Sequence, residues 1–213
     1  MKSGRPIVLF NGRGGEFGAI LRTPDPKKAE VEVVDFDPVE RESALKIHLG
    51  LALSRGDRFD WAIQKSVELG VTKITPLNCE RSDRISDVKR LARKIEHWQK
   101  LSLSACEQSG RTQLPEISEP MLCRDWCLQQ TNAQGYFFAP GKQAIGEHLA
   151  EIDNSVLDVE LAIGPEGGFT DEEENLFLEQ NFNAVSLGPR VLRTETAPIV
   201  AISLFQYFLG DIN

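Results

Sequence analysis

The chain has 213 residues, 41% hydrophobic and 26% charged, the balance of a globular protein with room for a medium domain and a small one. No apolar run approaches the ~20 residues that a membrane span needs, and the start, Met1-Lys2-Ser3-Gly4-Arg5-Pro6, lacks the apolar core of a signal peptide, so the expected address is the cytoplasm, with no membrane partner. The net charge of −8 argues mildly against nucleic acid, but the charge is segregated: no Lys or Arg falls between Lys142 and Arg190, while cations gather near the start, between Arg81 and Lys94, and at Arg190 and Arg193.

Residues 7–36 predict short strands and turns: Ile7-Val8-Leu9-Phe10, a turn at Asn11-Gly12, a strand over 17–21, a break at Pro24-Asp25-Pro26 and a strand over 31–36. Gly12-Arg13-Gly14-Gly15 reads as a hairpin turn, because neither a helix pattern nor a Lys-Ser/Thr pair follows it. Three short strands make a thin core, so this β segment has to lean on other structure. A polar linker over 38–43 divides the chain into expected domains at 1–40 and 41–213.

After the linker, strand-like and helix-like stretches alternate, which predicts an α/β domain with a mostly parallel sheet. A strand over 45–53 is followed by a helix over 57–69 that Gly70 stops, and then by a strand over 73–77. A long helix begins at Ser86-Asp87 and ends near Gly110, with Val88, Leu91, Ile95, Trp98, Leu101 and Ala105 on its apolar face. Lys89, Arg90, Arg93 and Lys94 occupy its outer side, which reads either as a solvated face or as a stripe for RNA phosphates. A helix over 125–130 and a strand over 136–139 follow, the latter entering a loop at Pro140-Gly141-Lys142. Cys79, Cys106, Cys123 and Cys127 have neither zinc-finger spacing nor a C-x-x-C pair, so reduced structural thiols are expected and no metal.

The strands over 159–163 and 184–187 each run into a loop built of glycine and proline and then into a helix. Thr170, followed three residues later by Glu173, makes a capping box, with acids stacked where the helix dipole favours them. The last helix, 195–208, tolerates Pro198 in its first turn and puts Ala197, Ala201, Leu204, Phe205 and Phe208 on one face. Ile199, Ile202 and Tyr207 make it apolar on most sides, as a buried helix or a subunit contact would be. Loops at the carboxyl ends of parallel strands are where open α/β sheets bind ligands. Here glycines let the backbone approach a ligand directly, an arrangement suited to the edge of an adenine, although neither loop is a Walker loop or a dinucleotide fingerprint.

Ile163-Gly164-Pro165-Glu166-Gly167-Gly168-Phe169, then Leu187-Gly188-Pro189-Arg190-Val191-Leu192-Arg193-Thr194-Glu195-Thr196-Ala197, resemble the RsmE family of small-subunit ribosomal RNA uridine-N3 methyltransferases, in the SPOUT superfamily. Gln64-Lys65-Ser66-Val67-Glu68-Leu69-Gly70-Val71, Thr75-Pro76-Leu77 with Glu80-Arg81-Ser82, Trp98-Gln99-Lys100 and Ala105-Cys106-Glu107-Gln108-Ser109-Gly110-Arg111 carry the resemblance too. It implies a SPOUT-like, trefoil-knotted α/β domain with a mostly parallel sheet, preceded by a PUA-like β-barrel segment for RNA. Members carry several dozen more residues at the start, so the barrel segment is expected to be incomplete. The implied cofactor is S-adenosylmethionine (SAM), the substrate 16S rRNA in the small subunit, and the assembly a homodimer.

Carried onto this sequence, the resemblance makes Leu77, Ala139, Ile163, Gly164, Pro165, Gly167, Gly168, Leu187, Gly188, Leu192, Thr194 and Thr196 candidates for SAM. Arg193 is the candidate stabiliser of a uracil anion or a phosphate, Glu166 and Glu195 are candidate bases, and Arg13, Arg81, Arg111 and Arg190 are candidate RNA contacts. Ribose 2′-O-methylation of transfer RNA, and a non-catalytic RNA-binding or ribosome-assembly role, remain the alternatives.

Overall fold

A computed structural model describes residues 2–212 except Pro26, Ser86, Gln130, Glu151 and Asn154. The expected break at Pro26, helix start at Ser86 and helix end at Gln130 therefore lie outside the described residues. Contacts divide the chain into two compact units, Met1–Glu42 with Cys106–Leu114, and Ser43–Ala105 with Pro115–Asn213.

The first unit is an antiparallel meander of β1 (Pro6–Leu9), β2 (Glu16–Thr23) and β3 (Glu30–Asp37). Its core is thin, as three strands allow: Ala19 and Leu21 are buried, whereas every residue of β3 is exposed, Val33, Val34 and Phe36 included. Segment 106–114 is tied in by the Arg13–Gln113 bridge and by the amides of Gly14 and Leu114, which donate to Thr112 O and Gly12 O at 3.1 Å each. The polar cluster that ends the long helix thus has a structural use. Arg111 is buried and forms a multiply hydrogen-bonded ion pair with Glu42, Nε lying 3.1 Å from both carboxylate oxygens.

The second unit is built on a seven-stranded sheet in which every neighbouring pair is parallel, in the order β10-β8-β9-β4-β5-β6, with β7 also on β5. The strands are β4 (Lys46–Ala52), β5 (Lys73–Asn78), β6 (Glu116–Ile117), β7 (Met121–Leu122), β8 (Gln134–Ala144), β9 (Asp158–Ile163) and β10 (Asn183–Ser186). The helices are α1 (Arg58–Glu68), α2 (Val88–Ser109), α3 (Cys123–Cys127), α4 (Ile145–Ala150), α5 (Asp171–Glu179) and α6 (Thr196–Leu209).

Central strands are buried along their length, as parallel sheets covered on both faces require. Alternation on β8 sends Tyr136 to one side, 4.8 Å from the Phe205 ring of α6, and Phe137 to the other, 5.2 Å from Phe177 of α5. The Phe137 side is an aromatic layer of Trp126, Phe169, Phe177 and Phe182. The polar side chains on β4 and beside it are paired: His48 receives the Trp126 indole N–H at Nε2, 3.2 Å away, and meets Glu160 through Nδ1 at 3.2 Å. No helix among the described residues is long and apolar enough to cross a membrane.

Several expectations are displaced. The helix expected over 125–130 is α3, two residues earlier at its start. On α2, Val88 is exposed rather than on the apolar face, and Ser102 is buried there instead. On α6 the buried residues are Pro198, Ala201, Ile202, Phe205 and Gln206, while Phe208 is exposed, because the helix packs edge-on with Gln206 donating to Leu69 O at 3.1 Å. Gly70 does stop α1, and a β-carbon there would lie 2.6 Å from that Gln206 amide nitrogen.

The largest departure is in β8. Ala184 of β10 pairs with Phe137 and the next residue, Val185, with Gln143, so residues 138–142 are thrown out of the ladder. The expected loop at Pro140-Gly141-Lys142 is this excursion inside one strand.

Candidate active site

The excursion within β8 and the segments that follow β9 and β10 meet and enclose a cavity of about 380 Å³. The excursion of β8 contributes Phe138, Ala139 and Pro140; the loop after β9 contributes Ile163, Gly164, Pro165, Glu166 and Gly168; the segment from β10 to α6 contributes Ser186, Leu187, Gly188, Arg190, Val191, Leu192, Arg193, Thr194 and Ala197. Arg58, the first residue of α1, closes the ring.

Each segment is held from behind. Gly168 and Gly188 sit at φ +67° and +95°, where a side chain would be strained, and so give tight turns whose backbone faces the cavity. Gly168 N–H donates to Pro165 O at 2.8 Å. Arg81 Nη1 donates to Gly167 O at 2.8 Å and to Phe169 O at 3.2 Å, pinning that loop from the side away from the cavity. The capping box of α5 is complete: Thr170 Oγ1 accepts from Glu173 N–H at 3.2 Å, and Glu173 accepts from Thr170 N–H at 2.9 Å. The other Glu173 oxygen accepts Glu80 N–H at 2.9 Å. Lys142, in the β8 excursion, is salt-bridged to Glu174 at 2.7 Å. The acidic helix therefore braces the site rather than reacting in it.

The charges on the rim are uneven. Glu166 is ion-paired with Arg58 at 2.5 Å, both side chains half exposed. Arg193 is 80% exposed, with Nη1 3.9 Å from Glu195 Oε1, too far for a hydrogen bond but close enough to orient the guanidinium. Two oxygens are left over: Thr194 Oγ1, on the cavity lining, and Glu195 Oε2 are buried without a hydrogen-bond partner among the described residues. Buried orphan acceptors cost stability, and a polar ligand is one way to satisfy them.

Of the residues assigned to a cofactor from sequence, Ala139, Ile163, Gly164, Pro165, Gly168, Leu187, Gly188, Leu192 and Thr194 line the cavity, as do Glu166, Arg193 and Arg190. Four do not. Leu77 is fully buried in the aromatic layer, Gly167 faces the Arg81 side chain, Thr196 starts α6 with its N–H on Arg193 O, and Glu195 stands behind Arg193. Of the expected RNA contacts, Arg81 is exposed with its Nη1 on the Gly167 and Phe169 carbonyls, Arg111 is buried on Glu42, and Arg13 is exposed in the N-terminal unit. Phe138, Ser186, Val191 and Ala197 adjoin residues already singled out, so widening each motif by one position would have found them. Arg58 is 108 residues from its partner Glu166, and nothing local marks it.

Among the described residues, Cys79, Cys123 and Glu173 bring possible metal-ligand atoms within 4.8 Å of one another. Both Glu173 oxygens already accept backbone amides, so the carboxylate is engaged as a cap.

Residues 41–206 match the family model described as an RNA methyltransferase domain. The chain is 35% identical to ribosomal RNA small subunit methyltransferase E of Buchnera aphidicola subsp. Schizaphis graminum, over 100% of this chain and 86% of that protein. It is 32% identical to the protein of the same name from Bacillus subtilis, over 97% and 83%. A putative methyltransferase from Legionella pneumophila, solved in complex with bound SAM, superposes with a TM-score of 0.94 at 40% identity, covering 100% of this chain and 86% of that one. Ribosomal RNA small subunit methyltransferase E from Neisseria gonorrhoeae, bound to S-adenosyl methionine, superposes with a TM-score of 0.91 at 36% identity, covering 100% and 87%.

Proposed function

The chain belongs to the RNA methyltransferase family that includes ribosomal RNA small subunit methyltransferase E, and from this we infer that it transfers a methyl group from SAM to N3 of a specific uridine in 16S rRNA, on the small ribosomal subunit. The observation that carries the reading is the convergence of two glycine loops and the β8 excursion on one cavity, in a chain that superposes closely on SAM-bound relatives. The residues present fit the cofactor: Gly164, Gly168 and Gly188 offer backbone without side chains, Ile163, Leu187 and Leu192 offer apolar contact, and the orphan Thr194 hydroxyl offers a hydrogen bond.

SAM supplies an electrophilic methyl group on a sulfonium, and the rest falls to the chain. The uridine must be unpaired or flipped so that N3 can approach in line. As the N3–C bond forms, the N3 proton has to leave. Glu166 is the carboxylate on the cavity lining that can accept it. Arg193, permanently cationic and projecting from the rim, holds the negative charge that grows on the uracil. Glu195 acts through Arg193, as a positioning residue.

The same reading takes residues 1–40 as part of a PUA-like RNA-binding domain and 41–213 as a SPOUT domain with a trefoil knot. It takes the assembly as a homodimer, for which the exposed Tyr207 and Phe208 of α6 provide apolar surface, and the location as the cytoplasm.

Calorimetry with SAM tests the site. One equivalent should bind, and Gly188→Val, which puts a branched side chain at φ +95°, should abolish binding while the protein still melts cooperatively. Unaltered binding by that variant would remove the second loop from the cofactor site.

A further inference from the structure

The outer face of α2 carries a cluster of cations at its N-terminal end. In its first two turns it carries Lys89, Arg90, Arg93 and Lys94, and its first turn holds no acid. Lys89 with Arg93 and Arg90 with Lys94 are like charges four residues apart, which repel on a helix. All four sit toward the positive end of the helix dipole, where cations are disfavoured. α5 stacks four acids in its first turn, whereas the acid at the start of α2 is Asp87, just before the helix, whose Oδ1 accepts Arg90 N–H at 2.6 Å. No ion pair among the described residues offsets the cluster: Lys100 is salt-bridged to Glu96 and Arg84 to Glu80, but none of the four has such a partner.

The pattern has a direction. Leu91, Ile95, Trp98 and Ser102 turn inward, with Trp98 and Ser102 fully buried and the Trp98 indole N–H donating to Asp60 at 3.0 Å, so the face is fixed relative to the methyltransferase unit. Lys89, Arg90 and Arg93 are exposed on the opposite side, and Lys94 lies half-buried over the Trp98 ring at 6.0 Å. Residues 89 to 94 span ~7.5 Å along the axis at 1.5 Å per residue. In a chain of net charge −8, a local cluster of cations on one helix face makes a surface suited to a polyanion.

We propose that the cationic outer face of α2, formed by Lys89, Arg90 and Arg93 with Lys94 at its edge, is a docking surface for the phosphate backbone of ribosomal RNA, holding the small subunit by charge while the glycine-loop cavity does the chemistry. This rests on the functional reading above and adds a surface to it. Phosphate contacts of this kind position the substrate without reading sequence. Their signature is a steep dependence of affinity on salt, ~0.7 to 0.9 in log K per log salt for each phosphate neutralised.

The test compares the full chain with K89Q/R90Q/R93Q/K94Q, measuring methylation of small subunits that lack the modification, across a salt series. Glutamine keeps the helix propensity. The variant should bind SAM as the wild type does and melt cooperatively near the wild-type temperature, loss of the Lys94–Trp98 contact offsetting the relief of like-charge repulsion. Its KM for subunits should rise at least ~10-fold near 0.1 M salt, with the salt slope shallower by ~3. K89R/K94R should retain wild-type values. An unchanged KM and slope would overturn the proposal and leave α2 a solvated face. A raised KM with an unchanged slope would overturn it too, assigning the face to something other than phosphate. A wild-type chain that binds SAM but methylates no subunit would instead bring down the functional reading, and this proposal with it.

Discussion

Burial pushes the Cys127 thiol up to about 12, from an ordinary value near 8.5, and Cys123 is raised as well, first by its hydrogen bond with Cys79 and then by burial. Unfolding releases both thiols to ionise at their ordinary value, so between pH ~8.5 and ~12 the native state holds more protons than the unfolded one, and stability falls as pH rises. Below pH ~8.5 that contribution is fully present. Denaturant melts from pH 7 to 11 should therefore show a loss beginning near pH ~8.5, and Cys127→Ala should make it shallower, Cys123 supplying the remainder; a wild-type curve level to pH 11 would contradict the assignment. Legibility at this scale divides by distance along the chain. The capping box at Thr170 and Glu173 is readable because its partners are three residues apart, and the glycines of both loops because a missing side chain is itself the signal. Arg58 and Arg81 are not, because the groups that they hold, Glu166 and the carbonyls of Gly167 and Phe169, come near only when β5 and β9 join one sheet through β4.

The elements that brace the cavity make a second set of expectations. Thr170→Ala removes the acceptor for Glu173 N–H and should cost about 1 kcal/mol, or ~2 to 4 °C in Tm for a domain of this size. The loop that α5 steadies should loosen with it, so SAM affinity should weaken while Tm remains well above the assay temperature. A Tm within 0.5 °C of wild type, roughly the error of such a scan, would leave the box without energetic weight. Strand and helix positions across β4, α1, β5, β9 and β10 follow from hydrophobic pattern and turn residues. The excursion of β8 does not. A stretch with proline and glycine reads locally as a strand end, and only the pairing of β10 across both sides of it reveals one interrupted strand. The buried side of α6 was legible in part, since a helix apolar all round gives periodicity little contrast, and Gln206 turns inward for a carbonyl on α1.

At the scale of the molecule, the chain holds two units of different character. The smaller has few buried apolar residues and rests on polar ties, of which Arg111 with Glu42 is the most buried. Removing one partner of a buried pair costs up to about 3 to 5 kcal/mol, and less where the remaining charge keeps other partners, as Arg111 does. Glu42→Ala should accordingly expose residues 2–42 to hydrogen exchange and proteolysis, while SAM binding by the larger unit persists. Protection equal to wild type would show the pair to be dispensable. The α/β class with a mostly parallel sheet was legible from alternating elements, and the motif resemblance named the family. Composition alone suggested little, because the net charge of −8 conceals a segregated distribution.

The methyl transfer itself can be followed on the ribosomal RNA. Small subunits from cells lacking the modification are incubated with the protein and SAM carrying a labelled methyl group, and the rRNA is digested and mapped by mass. A single labelled product, uridine methylated at N3, at one position in 16S rRNA and lost with Arg193→Ala although SAM still binds, is the predicted result. Label on a ribose 2′-oxygen, or no transfer by a wild-type chain that binds SAM, would contradict it.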